Sequence, residues 1–261
     1  MRIIFVRHGE PDYRVDSLKE KGKREAELLA GRAVNWPIKD IYVSPFGRAQ
    51  ETVAPTAKVL GIEPETLPWL REYSYQIEQP GHKKSGCPWD FISSELWKDP
   101  KLTSMDEWID ALPMQSNPEI AKNYPVVISS LDALIEKYGY ERYDHYYIRK
   151  DGRERFLTGT IYDGHKITIE DYPEDDNEPT IMIVCHFGVI CLMLSHLLNI
   201  PFELITSGFY LPTGSVTIVN TEERWGREVS FRVQVAGDCA HLVNAGEPIS
   251  NAGSFARCLN G

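Results

Sequence analysis

The sequence predicts an α/β fold: a three-layer sandwich with a mostly parallel central sheet covered by helices, and a large inserted cap. Three times along the 261 residues, a short apolar segment ends in a polar turn and is followed by a helical pattern. Such segments are typical of strands that are buried on both faces. Alternating strands and helices indicate right-handed crossover connections between parallel strands.

The first unit begins with an apolar strand over residues 2–6, which leads into the polar residues 7–10. Ser17 and Glu20 have the spacing of a capping box, in which the two side chains bond the free N–H groups at the start of a helix. Small and apolar residues then recur at roughly helical spacing. The pattern predicts a helix over residues 18–32.

The second unit is a strand over residues 40–43 that ends at Ser44, followed by a helical pattern over residues 48–60. We expect Pro55 to interrupt this helix, because proline has no N–H to donate. We expect Gly61 to end it, because glycine favours the left-handed conformation found at helix ends.

The third unit, residues 181–200, is mostly apolar and about as long as a membrane-spanning helix. Gly188 divides a β-branched first half from a second half rich in leucine and methionine, and polar side chains such as His186 lie within it. A buried strand over 181–184 followed by a buried helix over 189–198 explains this pattern better. We therefore expect no membrane segment.

Residues 73–179 lack the strand–turn–helix pattern of the three units and contain short amphipathic segments with several prolines. We expect them to form an inserted cap that packs over the active edge of the sheet, while residues 1–72 and 180–261 form the α/β core of one domain. The aromatic side chains of the insertion are expected to pack within it rather than to stack on a substrate. They include Tyr73, Tyr75, Trp89, Phe91, Trp97 and Trp108.

Four further elements are predicted after residue 120. A helical pattern runs over residues 126–138, and tight hairpin turns are expected near 150–152 and 163–164, where Asp-Gly pairs occur. Near the C-terminus, two alternating runs predict a β-hairpin that turns around residues 222–226.

Composition and charge exclude several classes of protein. With 28 Lys and Arg against 38 Asp and Glu, the formal net charge is −10, which argues against binding to nucleic acid through phosphate neutralisation. Five cysteines without a C-x-x-C pair predict reduced thiols and give no zinc site. The apolar run at the N-terminus is too short for a signal peptide. We expect a cytoplasmic protein with no membrane partner.

Polar side chains follow each of the three predicted parallel strands, and the carboxyl ends of such strands meet at one edge of a sheet. His8, Ser44 and His186 are therefore expected to lie at that edge, where α/β proteins bind their ligands.

The segment Arg7-His8-Gly9-Glu10, directly after an N-terminal strand, resembles the signature of the histidine phosphatase superfamily, the phosphoglycerate mutase-like enzymes. The resemblance continues in order along both ends of the chain. The other similar segments are residues 18–26, 44–52, 70–72, 184–186 and 237–242. The segment after Glu72 lacks the features that are usual in mutases, so the resemblance is to the phosphatase branch.

This resemblance implies a role for each of five residues. His8 is the nucleophile that forms a phosphohistidine, and Glu72 is the proton donor to the leaving oxygen, although Glu78 and Glu10 remain alternatives for the acid. Arg7 and Arg48 bind the phosphate oxygens, and His186, held cationic, is a third positive contact. The chemistry fits the residue types, because phosphoryl transfer depends on positioning and on neutralising the oxygens, and guanidinium groups match those oxygens in geometry.

Two positions depart from the family pattern. Residues 11–14 follow Glu10 where many members carry a phosphate-binding Asn, and Phe187 separates His186 from Gly188 where a His-Gly pair is usual.

The predicted function is hydrolysis of phosphoric monoesters through a phosphohistidine, without a metal ion or another cofactor. The expected substrate is a small phosphorylated metabolite or a phosphoprotein. A phosphoglycerate-type phosphomutase is the alternative among enzymes. A non-catalytic protein that binds or senses a phosphorylated ligand is the alternative from another class.

Overall fold

The computed structural model describes residues 1–79, 86–151, 178–223, 227–254 and 256–260. The strands within these ranges are β1 (Arg2–Arg7), β2 (Pro11–Asp12), β3 (Ser17–Leu18), β4 (Ile38–Val43), β5 (Glu65–Thr66), β6 (Tyr140–Tyr143), β7 (Tyr146–Arg149), β8 (Thr180–Cys185), β9 (Val216–Glu223) and β10 (Glu228–Asp238). The α-helices are α1 (Glu20–Ala33), α2 (Gly47–Leu60), α3 (Ser93–Leu96), α4 (Leu112–Gln115), α5 (Pro118–Glu136), α6 (Phe187–Leu198), α7 (Phe202–Gly208) and α8 (Ala240–Val243). Short 3₁₀ turns lie at Pro68–Leu70, Pro100–Thr103 and Trp108–Asp110.

Eight of the strands form one sheet in the order β5-β4-β8-β1-β9-β10-β7-β6. The pairings among β5, β4, β8 and β1 are parallel, and those from β1 through β9 to β6 are antiparallel. The predicted α/β fold is confirmed. The parallel half contains the three predicted strand–turn–helix units, so their turns share one edge of the sheet.

Each face of the sheet carries its own apolar core. Strand β1 contributes Ile4 and Val6 to one core, which also holds residues of α1 and α2. The same strand contributes Ile3 and Phe5 to the opposite core, with residues of α5 and α6. These four side chains are almost inaccessible to solvent, and burying each one contributes roughly 1.5–3 kcal/mol. The molecule therefore has helices on both faces, as the predicted sandwich requires.

The predicted capping box at the start of α1 is wrong. Ser17 lies in β3, which pairs with β2, and Lys19 is the N-cap with no side-chain cap. The backbone N–H of Lys19 donates to the Glu10 carbonyl at 3.0 Å. The β2–β3 hairpin thus holds the chain extended until α1 begins, which competes with capping by Ser17.

The helix of the second unit continues through Pro55, contrary to the predicted interruption, and ends at Gly61, whose φ is 66°. The third unit is a strand followed by a helix, as predicted. None of the described helices combines the length and apolar character needed to cross a bilayer.

Residues 140–149, within the predicted insertion, contribute directly to the central sheet. The hairpin β6–β7 turns at Asp144-His145, and β7 pairs with β10. Helix α5 begins at Pro118, earlier than predicted, because Asn117 caps it by accepting from the Glu119 N–H at 3.1 Å and proline is tolerated in the first turn of a helix.

The C-terminal hairpin of β9 and β10 is confirmed. The expected turn residues 152, 163–164 and 224–226 lie outside the described residues. The division into a core and a cap stays a prediction.

Candidate active site

The carboxyl ends of the parallel strands bring the predicted polar residues together. His8 follows β1, Ser44 follows β4, and His186 follows β8, which lies between the other two strands. The ring centroids of His8 and His186 are 5.0 Å apart, although the two residues are 178 positions apart in the sequence. The expected convergence at this edge is therefore present in the structure.

The His8 imidazole is buried and held in a single tautomer. Its Nδ1 lies 2.8 Å from the Gly9 carbonyl oxygen, which can only accept, so Nδ1 carries the proton. Its Nε2 accepts from Arg48 Nε at 3.3 Å. Burial, together with the Arg7 and Arg48 charges, lowers the pKa of His8 to about 3. His8 is thus neutral near pH 7, with the lone pair on Nε2.

Arg48 is fixed by Asp16, a residue that the sequence motifs do not single out. Arg48 Nη1 donates to one oxygen of the Asp16 carboxylate, and the Gly47 N–H donates to the other at 2.8 Å. The guanidinium also lies 4.7 Å from the centre of the Phe46 ring. The positive charge beside His8 is therefore oriented by an acidic side chain from the loop before α1.

Arg7 lies at the end of β1, and its guanidinium contacts Leu211 and Phe187. Its Nη1 donates to the Leu211 carbonyl at 2.6 Å, and its charge lies 5.4 Å from the centre of the Phe187 ring. Among the described residues, Arg7 Nε has no hydrogen-bond partner. The guanidinium is thus positioned by one carbonyl and retains donors for an anion.

The surroundings of His186 oppose the positive charge predicted for it beside a phosphate, and that charge stays a prediction. Burial and the neighbouring His8, Arg48 and Arg7 lower its pKa well below the ordinary value. Its Nε2 is 2.7 Å from Ser44 Oγ, and its buried Nδ1 meets no partner in the part of the chain that the structure describes. The ring can therefore contribute a hydrogen bond from this position.

The Glu72 carboxylate lies at the N-terminus of α6. Its Oε1 accepts from the backbone N–H groups of Tyr73 at 2.9 Å, Gly188 at 2.9 Å and Val189 at 3.3 Å. Burial raises the pKa of Glu72, and the nearby Arg7 charge offsets this only in part. Glu72 therefore keeps its proton to a higher pH than an ordinary glutamate does.

The two alternative acids are placed differently. Glu78 is exposed, and its own N–H bonds Ser116 Oγ. The Glu10 carboxylate accepts from Lys19 at 2.9 Å and Ser250 at 2.7 Å. Burial raises the pKa of Glu10, but these hydrogen bonds outweigh it, and the pKa lies below the ordinary value. Of the three glutamates, Glu72 is the one that lines the cavity next to Arg7.

A cavity of about 650 Å³ opens beside Arg7 and Glu72. Trp89 lines it and also packs edge-on against the Phe187 ring, 5.8 Å away. The prediction that Trp89 packs rather than stacks on a substrate stays a prediction. Tyr210 and the C-terminal residues 253–254 and 256–258 form another wall, and the Tyr210 hydroxyl donates to the Ala252 carbonyl at 3.1 Å. Sequence reasoning missed this C-terminal wall, because it carries no recognisable motif.

The described residues contain no group of three or more side chains suited to hold a metal ion. All five cysteines are free thiols. The positive charge at the strand edge comes from Arg7 and Arg48.

Residues 3–86 match the family model described as the histidine phosphatase superfamily, branch 1. The match confirms the resemblance to the histidine phosphatase superfamily. A curated member of similar sequence is the probable phosphoglycerate mutase GpmB of Photorhabdus laumondii, 32% identical over 149 residues. The match covers 48% of this chain and 65% of that protein, so it spans slightly less than two thirds of the relative's length.

Solved structures show the same fold over most of the chain. The mycobacterial glucosyl-3-phosphoglycerate phosphatase with inorganic phosphate has a TM-score of 0.54 at 16% identity, over 92% of this chain and 98% of that one. The phosphoserine phosphatase of Entamoeba histolytica, solved with 3-phosphoglyceric acid, has a TM-score of 0.53 at 18% identity, over 92% and 98%. Bacillus stearothermophilus YhfR has a TM-score of 0.53 at 19% identity, over 92% and 98%.

Proposed function

We propose that this protein is a phosphomonoesterase that acts through a phosphohistidine on His8, without a metal ion or another cofactor. One observation carries the proposal: His8 has its Nδ1 proton bound to the Gly9 carbonyl and its Nε2 lone pair beside the Arg48 guanidinium. A neutral imidazole in that tautomer is a nucleophile, and the adjacent guanidinium attracts the group that it attacks.

In the first step, His8 Nε2 attacks phosphorus in line with the leaving oxygen and displaces the weak hydrogen bond from Arg48. The N–P bond forms as the P–O bond breaks. Arg7 and Arg48 stabilise the charge on the equatorial oxygens. Glu72 in its protonated form donates its proton to the leaving alkoxide, and its raised pKa supports this role.

In the second step, the Glu72 carboxylate takes a proton from water, and the resulting oxygen attacks the phosphohistidine. The N–P bond breaks, the electron pair returns to His8, and inorganic phosphate leaves. His186 assists as a neutral group: with the Ser44 hydroxyl donating to its Nε2, its Nδ1 is left as an N–H donor for a phosphate oxygen.

The cavity supports a small phosphorylated metabolite as substrate over a phosphoprotein. Its volume of about 650 Å³ is far larger than a phosphate ion needs and is within the range of small-molecule sites. Trp89, Phe187 and Tyr210 offer it apolar walls. The phosphatases of similar fold are named for small phosphorylated compounds, a glucosyl-3-phosphoglycerate and phosphoserine.

A phosphomutase is the second candidate, because the curated relative is a probable phosphoglycerate mutase. Both enzymes form the same intermediate and differ in its fate. Release of inorganic phosphate to water identifies a phosphatase, and transfer of the phosphoryl group to a second hydroxyl of the substrate identifies a mutase. A protein that only binds a phosphorylated ligand performs neither reaction.

The test is release of phosphate from 4-nitrophenyl phosphate in excess chelator. We expect turnover by the wild-type protein and none above background by His8→Ala. His145→Ala is the matched control, because His145 is an exposed histidine on the β6–β7 turn, and it should retain wild-type turnover. A strict requirement for a divalent metal, or full activity of His8→Ala, would contradict the proposal.

A further inference from the structure

Glu25, on α1, is a fully buried carboxylate directly behind the loop that carries His8. It has no accessible surface, and Gly214, whose φ is 69°, packs against its side chain. Gly214 in turn donates its N–H to the His8 carbonyl at 3.1 Å. A buried acid normally carries a cost in free energy unless it is paired, so its place next to the proposed nucleophile requires an explanation.

One peptide unit connects Glu25 to the His8 ring. Glu25 Oε2 accepts from the Glu10 N–H at 2.7 Å. That N–H belongs to the same amide as the Gly9 carbonyl, whose oxygen lies 2.8 Å from His8 Nδ1. The carboxylate and the imidazole therefore occupy the two ends of a single amide dipole.

We propose that Glu25 is a positioning residue that acts on His8 through the Gly9–Glu10 peptide, and that its ionised form supports phosphoryl transfer. The proposal rests on the function proposed above. An anion at the N–H end of an amide polarises it and makes the carbonyl oxygen a stronger acceptor. A stronger bond to Nδ1–H raises the electron density at Nε2 and stabilises the positive charge that the ring acquires when the N–P bond forms.

The charged groups around Glu25 allow it to change its ionisation near neutral pH. Burial raises its pKa to about 7, the Glu10 N–H and Lys21 oppose this, and the Glu10 and Glu247 carboxylates add to it. Lys21 Nζ is 3.8 Å from Oε1 but only 2.7 Å from Glu247. Cys239 also faces Glu25. Oε1 has no hydrogen-bond partner among the described residues.

The first test compares pH profiles of the single-turnover rate of phosphorylation by 4-nitrophenyl phosphate, whose good leaving group needs little help from the Glu72 proton. If only ionised Glu25 supports the step, a pKa of about 7 makes the wild-type rate rise about tenfold from pH 6 to 8. Glu25→Gln keeps the shape and an oxygen acceptor but not the charge, so its profile should be flat over this range and lower at pH 8. Glu27→Gln, an exposed change on the same helix, should keep the wild-type profile.

The second test does not depend on turnover. In protein with ¹⁵N-labelled histidine, the His8 ring signals, assigned with His8→Ala, should shift between pH 6 and 8 in the wild-type protein and in Glu27→Gln but not in Glu25→Gln. If the His8 signals respond to pH equally in the wild type and in Glu25→Gln, Glu25 does not act on His8 through the Gly9–Glu10 peptide, whatever the turnover shows. If the expected shifts occur in a protein without turnover, the action of Glu25 on His8 stands and the proposed function is contradicted.

Discussion

Burial acts on Glu72 and His8 in opposite directions, and both effects suit one reaction. It raises the pKa of the acid and lowers that of the imidazole, because a buried site favours the neutral form of each group. The carboxyl group thereby holds a proton to donate while the imidazole lone pair stays free. Groups with pKa values pushed apart in this way are typical of an acid and a nucleophile in one active site.

Glu72→Gln should slow the hydrolysis of some substrates more than that of others. The amide cannot protonate the leaving oxygen, so alkyl phosphates, whose leaving groups are strong bases, should lose at least tenfold more in kcat/KM than 4-nitrophenyl phosphate does. Steady-state rates for the two substrate types measure this. Glu78→Gln, a change at the exposed alternative, is the control. Equal slowing of both substrates by Glu72→Gln would remove Glu72 from the acid role.

At the scale of elements, the close contact between the N-terminus of α6 and Glu72 explains why residue 188, the third after β8, is glycine. A Cβ on Gly188 would lie 2.2 Å from the Trp89 ring and 2.8 Å from Glu72 Oε1. The departure from the usual His-Gly pair thus leaves a glycine where the carboxylate approaches the helix N-terminus. The close approach allows the Gly188 N–H to bond Glu72.

Gly188→Ala should therefore reduce activity strongly, because Trp89 and Glu72 must move. Gly31→Ala is the matched control: Gly31 lies in α1 with nothing near its missing Cβ, so alanine should increase the free energy of unfolding by about 0.5–1 kcal/mol. Phosphatase assays and chemical denaturation of both variants check this. Wild-type kcat/KM for Gly188→Ala would show that Glu72 is not held as described.

The same elements explain how far the sequence alone could predict the site. The strand–turn–helix pattern places Arg7, His8 and His186, since strand ends meet at one edge whatever the details of the side chains. Asp16 could not be found in this way, because its pairing with Arg48 depends on the path of the β2–β3 hairpin. That hairpin is also the reason that Ser17 is not a cap, since the pairing of β3 with β2 overrides the capping motif.

At the scale of the whole molecule, the site is closed by segments far apart in the chain. Ser250 bonds Glu10 across 240 positions, and the C-terminal residues complete the cavity wall. No local pattern encodes such contacts, so the sequence predicts the sheet and the edge that holds the candidate site but not the walls of the cavity. The pairing of the β6–β7 hairpin with β10 is likewise a contact between distant parts of the chain, so the sequence did not predict it.

The stability of the whole molecule should depend on the buried Glu203 of α7. Glu203 is 1% exposed, its Oε1 lacks a partner among the described residues, and burial raises its pKa well above 4.5. The folded protein therefore keeps this proton as the pH rises above about 5, while the unfolded chain loses it, and stability falls.

Glu203→Gln removes this dependence. The difference in the free energy of unfolding between the variant and the wild type should grow in favour of the variant, by up to about 1.4 kcal/mol per pH unit above pH 5. Urea denaturation from pH 5 to 8 measures it, with the exposed Glu27→Gln as the control. A difference that stays constant with pH would show that Glu203 is ionised in the folded protein.

The central claim is that the phosphoryl group passes through His8. Rapid quenching in base, which preserves an N–P bond, followed by peptide mapping of the protein after mixing with 4-nitrophenyl phosphate, tests it most directly. We expect an acid-labile phosphoryl group on Nε2 of His8 that forms before phosphate is released and does not form in His8→Ala. Full turnover with no phosphorylated His8 at any time, or a phosphoryl group on another residue, would contradict the account.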